Sequence, residues 1–320
     1  VHFGFSLPGR GPLAKPASLT KLAQAADRLR YSSIFITDHV VLPTTIRSTY
    51  PYHASGQFPG GAEQDYLEPL VLMTHLALAT KRIRIGTSVL VIPYRNPVVT
   101  AKMLATLDLL SGGRVILGAG VGWLEEEFVA LGAPPFRERG RVTDEYLRLM
   151  RECWTTDPVR FEGKHYRVSD VVCRPKPAQK GGIPIWIGGH ADAALRRAGE
   201  LGDGWHPIGL RPPGLLHPAE YAEKVKRIRA WAERAGRNPE AVTLTFRVPM
   251  EVWSKRSAPP DERQLFRGTA DQVIADIRQY QALGVTHFVF DFTVPDPKHA
   301  LATMRRFAEE VRPRVQRARR

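Results

Sequence analysis

Asp38-His39 is the pair in this chain whose residue types could most directly move a proton. A histidine donates or accepts a proton near neutral pH, and a neighbouring carboxylate can fix its orientation. The pair follows Ile34-Phe35-Ile36-Thr37, an apolar run of β type, so both side chains stand where a strand ends. The alternative is structural, a polar pair that closes the strand. Glycines punctuate three further runs: Gly86-Thr87-Ser88-Val89, Gly118-Ala119-Gly120-Val121-Gly122 and Ile187-Gly188-Gly189-His190. Glycine at a strand end lets a flat ligand or a phosphate approach the backbone, and it also makes ordinary tight turns. The second run has the spacing GxGxG, not GxGxxG, and no clear ribose-binding acid follows it, so a dinucleotide-binding sheet is poorly supported. The third leads into a helical stretch over 191–201, whose first N–H groups would be free to bind an anion. Cys153 and Cys173 form no CxxC, and HExxH is missing, so the sequence offers no metal site.

Positioning these residues falls to eight apolar runs of β type, at 3–7, 33–37, 83–92, 115–119, 183–187, 204–208, 242–248 and 285–291. Helical periodicity fills the intervals. Strands that are apolar on both faces and separated by helices imply a parallel sheet covered on both sides. Eight βα units fit an α/β fold of the closed (β/α)8 type, a TIM barrel, in one domain spanning 1–320. One helix begins at Asn96-Pro97, an Asn cap with Pro in the first turn. Another begins at Thr269, where Gln272 completes a capping box. A third places Val142, Tyr146, Met150, Cys153 and Trp154 on one side, giving Cys153 a packing role. The irregular stretches at 40–64, 120–138, 207–218 and 249–268 all follow strands, so the insertions gather at the C-terminal face where barrel sites are built. Residues 155–182 precede the fifth strand and could hold a small hairpin near Arg160-Phe161 and Tyr166–Val168.

Among 320 residues, 46 Lys and Arg face 32 Asp and Glu, a formal charge of +14, with 43% hydrophobic residues. That balance excludes a disordered chain, and two cysteines exclude a disulfide scaffold. Arg312, Arg314, Arg317, Arg319 and Arg320 crowd the last nine positions. The positive balance favours anionic ligands or a solvated surface, and no nucleic-acid signature accompanies it. No apolar run reaches the ~20 residues needed to span a bilayer, so the expectation is a cytoplasmic protein without membrane or nucleic-acid partners.

Taken in order, Ile36-Thr37-Asp38-His39, Gly86-Thr87-Ser88-Val89, Asn96-Pro97, Leu117-Gly118-Ala119-Gly120-Val121-Gly122-Trp123 with Glu127-Phe128, Ile185-Trp186-Ile187-Gly188-Gly189 and Gly202-Asp203-Gly204-Trp205 resemble the luciferase-like monooxygenase superfamily. They are most similar to its branch that uses the deazaflavin coenzyme F420. The resemblance implies a deazaflavin in the barrel mouth, against a bulge made by a non-prolyl cis peptide between Ser88 and Val89. It also implies that Asp38 and His39 flank the ring and the substrate, that Gly118 and Gly120 let the backbone pass close to the coenzyme, and that Gly188 and Gly189 approach its phosphate-bearing chain. Two residues depart from the pattern. Trp123 stands where the sugar-phosphate dehydrogenase of this branch has a carboxylate, which argues against oxidation of a sugar phosphate. Arg30 ends a helix where relatives usually have Gly.

The expected function is therefore hydride transfer between F420 and a small organic substrate, with His39 and Asp38 as catalytic residues. Alternatives are an FMN-dependent monooxygenase on the same barrel and a non-catalytic cofactor- or anion-binding barrel. Relatives are often dimers, so a homodimer is a further expectation.

Overall fold

In the computed structural model, residues 1–253, 263–292 and 296–316 are described. Eight parallel strands close on themselves: β1 (His2–Ser6), β2 (Ser33–Ile36), β3 (Arg84–Thr87), β4 (Val115–Gly120), β5 (Ile185–Gly188), β6 (Gly204–His206), β7 (Thr243–Pro249) and β8 (His287–Asp291). Each pairs with its neighbours in chain order, and β8 pairs with β1 to complete the ring. The TIM barrel expected from the eight runs is the observed fold. The third run does not continue to residue 92 as one strand. It breaks after Thr87, and Leu90–Val91 resumes pairing with β4.

Helices pack around this ring because each strand has two apolar faces to cover. Inside the barrel Phe35, Ile116, Trp186 and Val289 form their own buried cluster, with the Phe35 and Trp186 rings stacked at 5.5 Å. The outer cluster joins strands to α1 (Pro16–Arg28), α2 (Pro69–Ala79), α3 (Pro97–Ser111), α5 (Arg139–Thr155) and the helices beyond. The Asn96 side chain accepts from the N–H groups of Val98 and Val99, and the Thr269–Gln272 capping box forms, as both sequence signals require. Cys153 is fully buried on α5, in the packing role its periodicity implies. Arg30, in place of the expected glycine, takes a left-handed backbone at φ 59°. The hairpin expected in the 155–182 segment is present, pairing Val159–Glu162 with Arg167–Val171. Residues 254–262 of the loop after β7, and Arg317, Arg319 and Arg320 of the basic tail, lie outside the described residues. No helix among the described residues is long and apolar enough to cross a membrane.

Candidate active site

A cavity of about 1340 Å³ opens at the C-terminal ends of the strands. Single small-molecule sites usually occupy about 300–1,000 Å³, so this one has room for more than one ligand. Asp38, His39, Ser88, Val89, Gly120, Gly188 and Gly189 all line it. Gly118 does not. No cluster of residues among those described could hold a metal ion.

The carboxylate that orients His39 is Glu127, not Asp38. Glu127 is fully buried in the short helix α4 (Glu125–Ala130), and its Oε2 lies 2.9 Å from His39 Nδ1. The same carboxylate accepts the N–H of Val40 at 2.7 Å, the N–H of Val41 at 3.2 Å and the hydroxyl of Tyr94 at 2.9 Å. With Nδ1 as the donor to this carboxylate, Nε2 is the ring nitrogen left for other partners. The preceding residue of the helix extends the anchorage: Glu126 accepts the N–H of Arg47 at 2.6 Å, the N–H of Ser48 at 3.1 Å and the Ser48 hydroxyl at 2.6 Å. Burial raises the Glu126 carboxyl, but these donors outweigh it and bring its pKa down to about 2.

Asp38 turns instead to the far side of the strand end. It accepts two hydrogen bonds from Arg95, at 2.7 and 2.9 Å, and the N–H of Val91 at 2.9 Å. Burial raises its pKa while Arg95 and the Val91 N–H oppose the rise. Asp38 thus ties the end of β2 to the segment after β3. With its carboxylate spent there, it does not hold the imidazole.

The peptide bond between Ser88 and Val89 is cis, as the resemblance implies. The glycines around it have a packing role within the fold. A Cβ on Gly120 would stand 2.2 Å from Val89 Cγ2, and one on Gly188 would stand 2.6 Å from Val89 Cγ1. Both glycines make the hole that seats the Val89 side chain. A Cβ on Gly118 would stand 1.8 Å from the Thr87 carbonyl oxygen, so Gly118 is small to let β3 and β4 close. Gly189 needs its left-handed φ of 108°, and its carbonyl accepts the Trp205 indole N–H at 2.9 Å. Since overpacking typically costs about 1–3 kcal/mol, Gly120→Ala is expected to lower the thermal midpoint by displacing Val89. An unchanged midpoint by calorimetry would show that the pocket for Val89 is slack.

Under the bulge runs a polar network that the sequence analysis missed. Arg247 donates to the Ser88 carbonyl at 3.0 Å and to its hydroxyl at 3.1 Å, and pairs with Asp291 at 2.6 Å. The Ser88 hydroxyl meets His206 Nε2 at 2.8 Å, and His206 Nδ1 meets the Thr245 hydroxyl, which itself donates to the Trp205 carbonyl. That last donation leaves Thr245 as an acceptor, so Nδ1–H donates to it and Ser88 donates to Nε2. The available signal was the alternation of Thr245 and Arg247 with apolar residues along β7. Residues two apart point to the same face of a strand, and here that face is the barrel interior.

Burial and the nearby Arg247 depress the His206 pKa to about 3. His287, hydrogen-bonded to Ser33 inside the barrel, is depressed in the same direction. Both rings are neutral in the folded chain and take up a proton near pH 6.5 when unfolded. Stability is therefore full above about pH 6.5 and falls as pH drops toward 3, His206 contributing about 1.4 kcal/mol per pH unit and His287 acting in the same direction. Denaturant titrations at pH 7.5 and pH 5 check this, and His206→Asn should shrink the difference between them.

The rest of the wall divides by chemistry. Rings of Phe58, Tyr66 and Trp123 pack around His39, with Phe58 at 5.1 Å and Tyr66 at 5.5 Å, and Tyr50 packs on Phe58 and Trp123. Arg137 and Arg139 line the cavity near Gly140, and Arg139 lies 3.9 Å from the Phe136 ring centroid. Arg197, from α6 (Asp192–Glu200), is engaged with Asp144. The Arg247 Nε and the Tyr66 hydroxyl are buried without partners, which leaves donors at the cavity unsatisfied by the protein itself. Together with the arginines and the size of the cavity, they fit an anionic, carbonyl-bearing cofactor.

Residues 1–258 match the family model described as luciferase-like monooxygenase. An F420-dependent glucose-6-phosphate dehydrogenase of Amycolatopsis mediterranei is 29% identical over 337 aligned positions, covering 94% of this chain and 95% of that protein. An uncharacterized protein of Mycobacterium tuberculosis is 38% identical over 216 residues, 68% of this chain and 72% of that one. Among solved structures, an F420-dependent secondary alcohol dehydrogenase in complex with an F420-acetone adduct superposes with a TM-score of 0.77 at 20% identity, covering 99% of both chains. The family match and the relatives make this chain an oxidoreductase. The chain belongs to the luciferase-like monooxygenase family.

Proposed function

We propose that this enzyme uses coenzyme F420 to move a hydride to or from a small organic substrate, with His39 handling the proton. The observation that carries the reading is the imidazole itself. Its Nδ1 is fixed by buried Glu127, and its Nε2 is free in a cavity larger than one small ligand requires. A bound deazaflavin supplies a hydride donor or acceptor at C5. The chain's own part would be to take up or give a proton at His39 Nε2, with Ser88 and Val89 among the cavity-lining residues that would hold the deazaflavin. Arg137 and Arg139, with the N–H groups opening α6, are the candidates for an anionic tail. The F420-dependent relatives support this cofactor over FMN.

Structural neighbours also include a monooxygenase from Streptomyces bottropensis, with a TM-score of 0.74 at 20% identity over 98% of this chain and 99% of that one. An FMN-dependent reading therefore has the same fold behind it. Titration with F420 and with FMN, followed by fluorescence at physiological salt, separates the two. Tighter F420 binding is expected, weakening as salt rises because the attraction to an exposed anionic tail is screened. Equal or preferential FMN binding would move the enzyme to the monooxygenase reading.

A further inference from the structure

Three aromatic rings pack directly around the His39 imidazole. Besides Phe58 and Tyr66, the Trp123 ring lies 6.2 Å from the imidazole centroid. Tyr50, Phe58 and Trp123 also touch one another, at centroid distances of 5.0 to 5.2 Å. These rings come from two separate loops, after β2 and after β4, and they converge only at the mouth. Their planes meet at 42° to 82°, so they present edges and faces at steep angles to the space they enclose. Such a surface gains most from another ring placed edge to face. A polyol would gain less from such faces, since its hydroxyls would lose water where they meet the Phe58 and Trp123 rings.

We propose that the space beside His39 takes a flat, ring-bearing substrate, which makes Trp123, Tyr50 and Phe58 the residues that set specificity. This rests on the reading of the mouth as a hydride-transfer site. The competing account is that the three rings form a small core that only pins the two loops together.

Two matched pairs of probes separate these accounts: acetophenone against cyclohexyl methyl ketone, and benzoate against cyclohexanecarboxylate. Each pair keeps the functional group and replaces a flat ring with a puckered one. Calorimetric titration of the whole protein, with and without F420, should show the flat member binding about fivefold more tightly in at least one pair, the equivalent of one edge-to-face contact. Trp123→Leu should erase that preference while the puckered probe binds as before, and Phe58→Leu should reduce it if the first variant folds poorly. A ratio near one in both pairs, or no binding by any of the four at millimolar concentration, would overturn the proposal. So would a variant that loses thermal stability yet keeps the preference. F420 binding without a planar preference removes the ring pocket alone. A planar preference without F420 binding removes the deazaflavin reading alone.

Discussion

His39→Ala is expected to lower turnover by about 10²–10⁴-fold, the usual worth of a positioned proton transfer. Its thermal midpoint should move little. Glu127, the buried partner of the imidazole, keeps three other donors in Val40, Val41 and Tyr94, so removal of the ring does not strand a carboxylate. Binding of F420 by the variant should be largely preserved, which can be measured before any substrate is known. Single-turnover hydride transfer, once a substrate is found, is the decisive reading. A variant with wild-type turnover and a lost thermal midpoint would make His39 a structural residue. Glu127→Gln is a useful companion. It keeps an acceptor near Nδ1 but removes the charge, so a smaller loss of turnover with a shifted pH profile is expected.

Arg95→Ala should give the largest loss of stability of any single change at the mouth, about 3–5 kcal/mol. Arg95 provides two of the three hydrogen bonds to Asp38, whose side chain is wholly buried, and also reaches Glu68 at 2.9 Å. Without it, the Asp38 carboxylate keeps only the Val91 N–H and must stay charged in a buried site or take up a proton. Arg95→Ala should therefore be least stable relative to wild type at neutral pH and above, where protonation is costly. Asp38→Asn with Arg95→Ala should recover part of the loss. Denaturant midpoints of the single and double variants measure this coupling, and strict additivity would mean that the pair is not the clamp between β2 and the segment after β3.

Most of the barrel was legible because a buried parallel strand leaves a short apolar run, and eight such runs alternate here with helices. The position of His39 followed directly from the end of the second run. Its partner did not, because adjacency in sequence favours Asp38 while the contact is made by Glu127, 88 residues away. Asp38 and Arg95 are likewise 57 residues apart, and nothing in either local sequence marks the pair. That Gly120 and Gly188 also make room for the Val89 side chain is legible only in the folded chain, because the three residues come from separate strand ends. The Ser88, His206, Thr245 and Arg247 network depends on which side of β6 and β7 faces inward, and that becomes definite only when the ring closes.

The long loop after β2 is held at its near end chiefly through backbone N–H groups, those of Val40, Val41, Arg47 and Ser48, which donate to Glu126 and Glu127. Such an anchor ignores most of the side chains it holds. Apart from Ser48, whose hydroxyl also participates, positions 40 to 48 could change identity and the loop would still dock, provided that proline does not remove one of the four donors. The rings further along the same loop are thus free to be exchanged without unfastening it. A loop of different composition grafted between Ser48 and Tyr66 should seat over the same histidine, giving one barrel a range of interchangeable mouths.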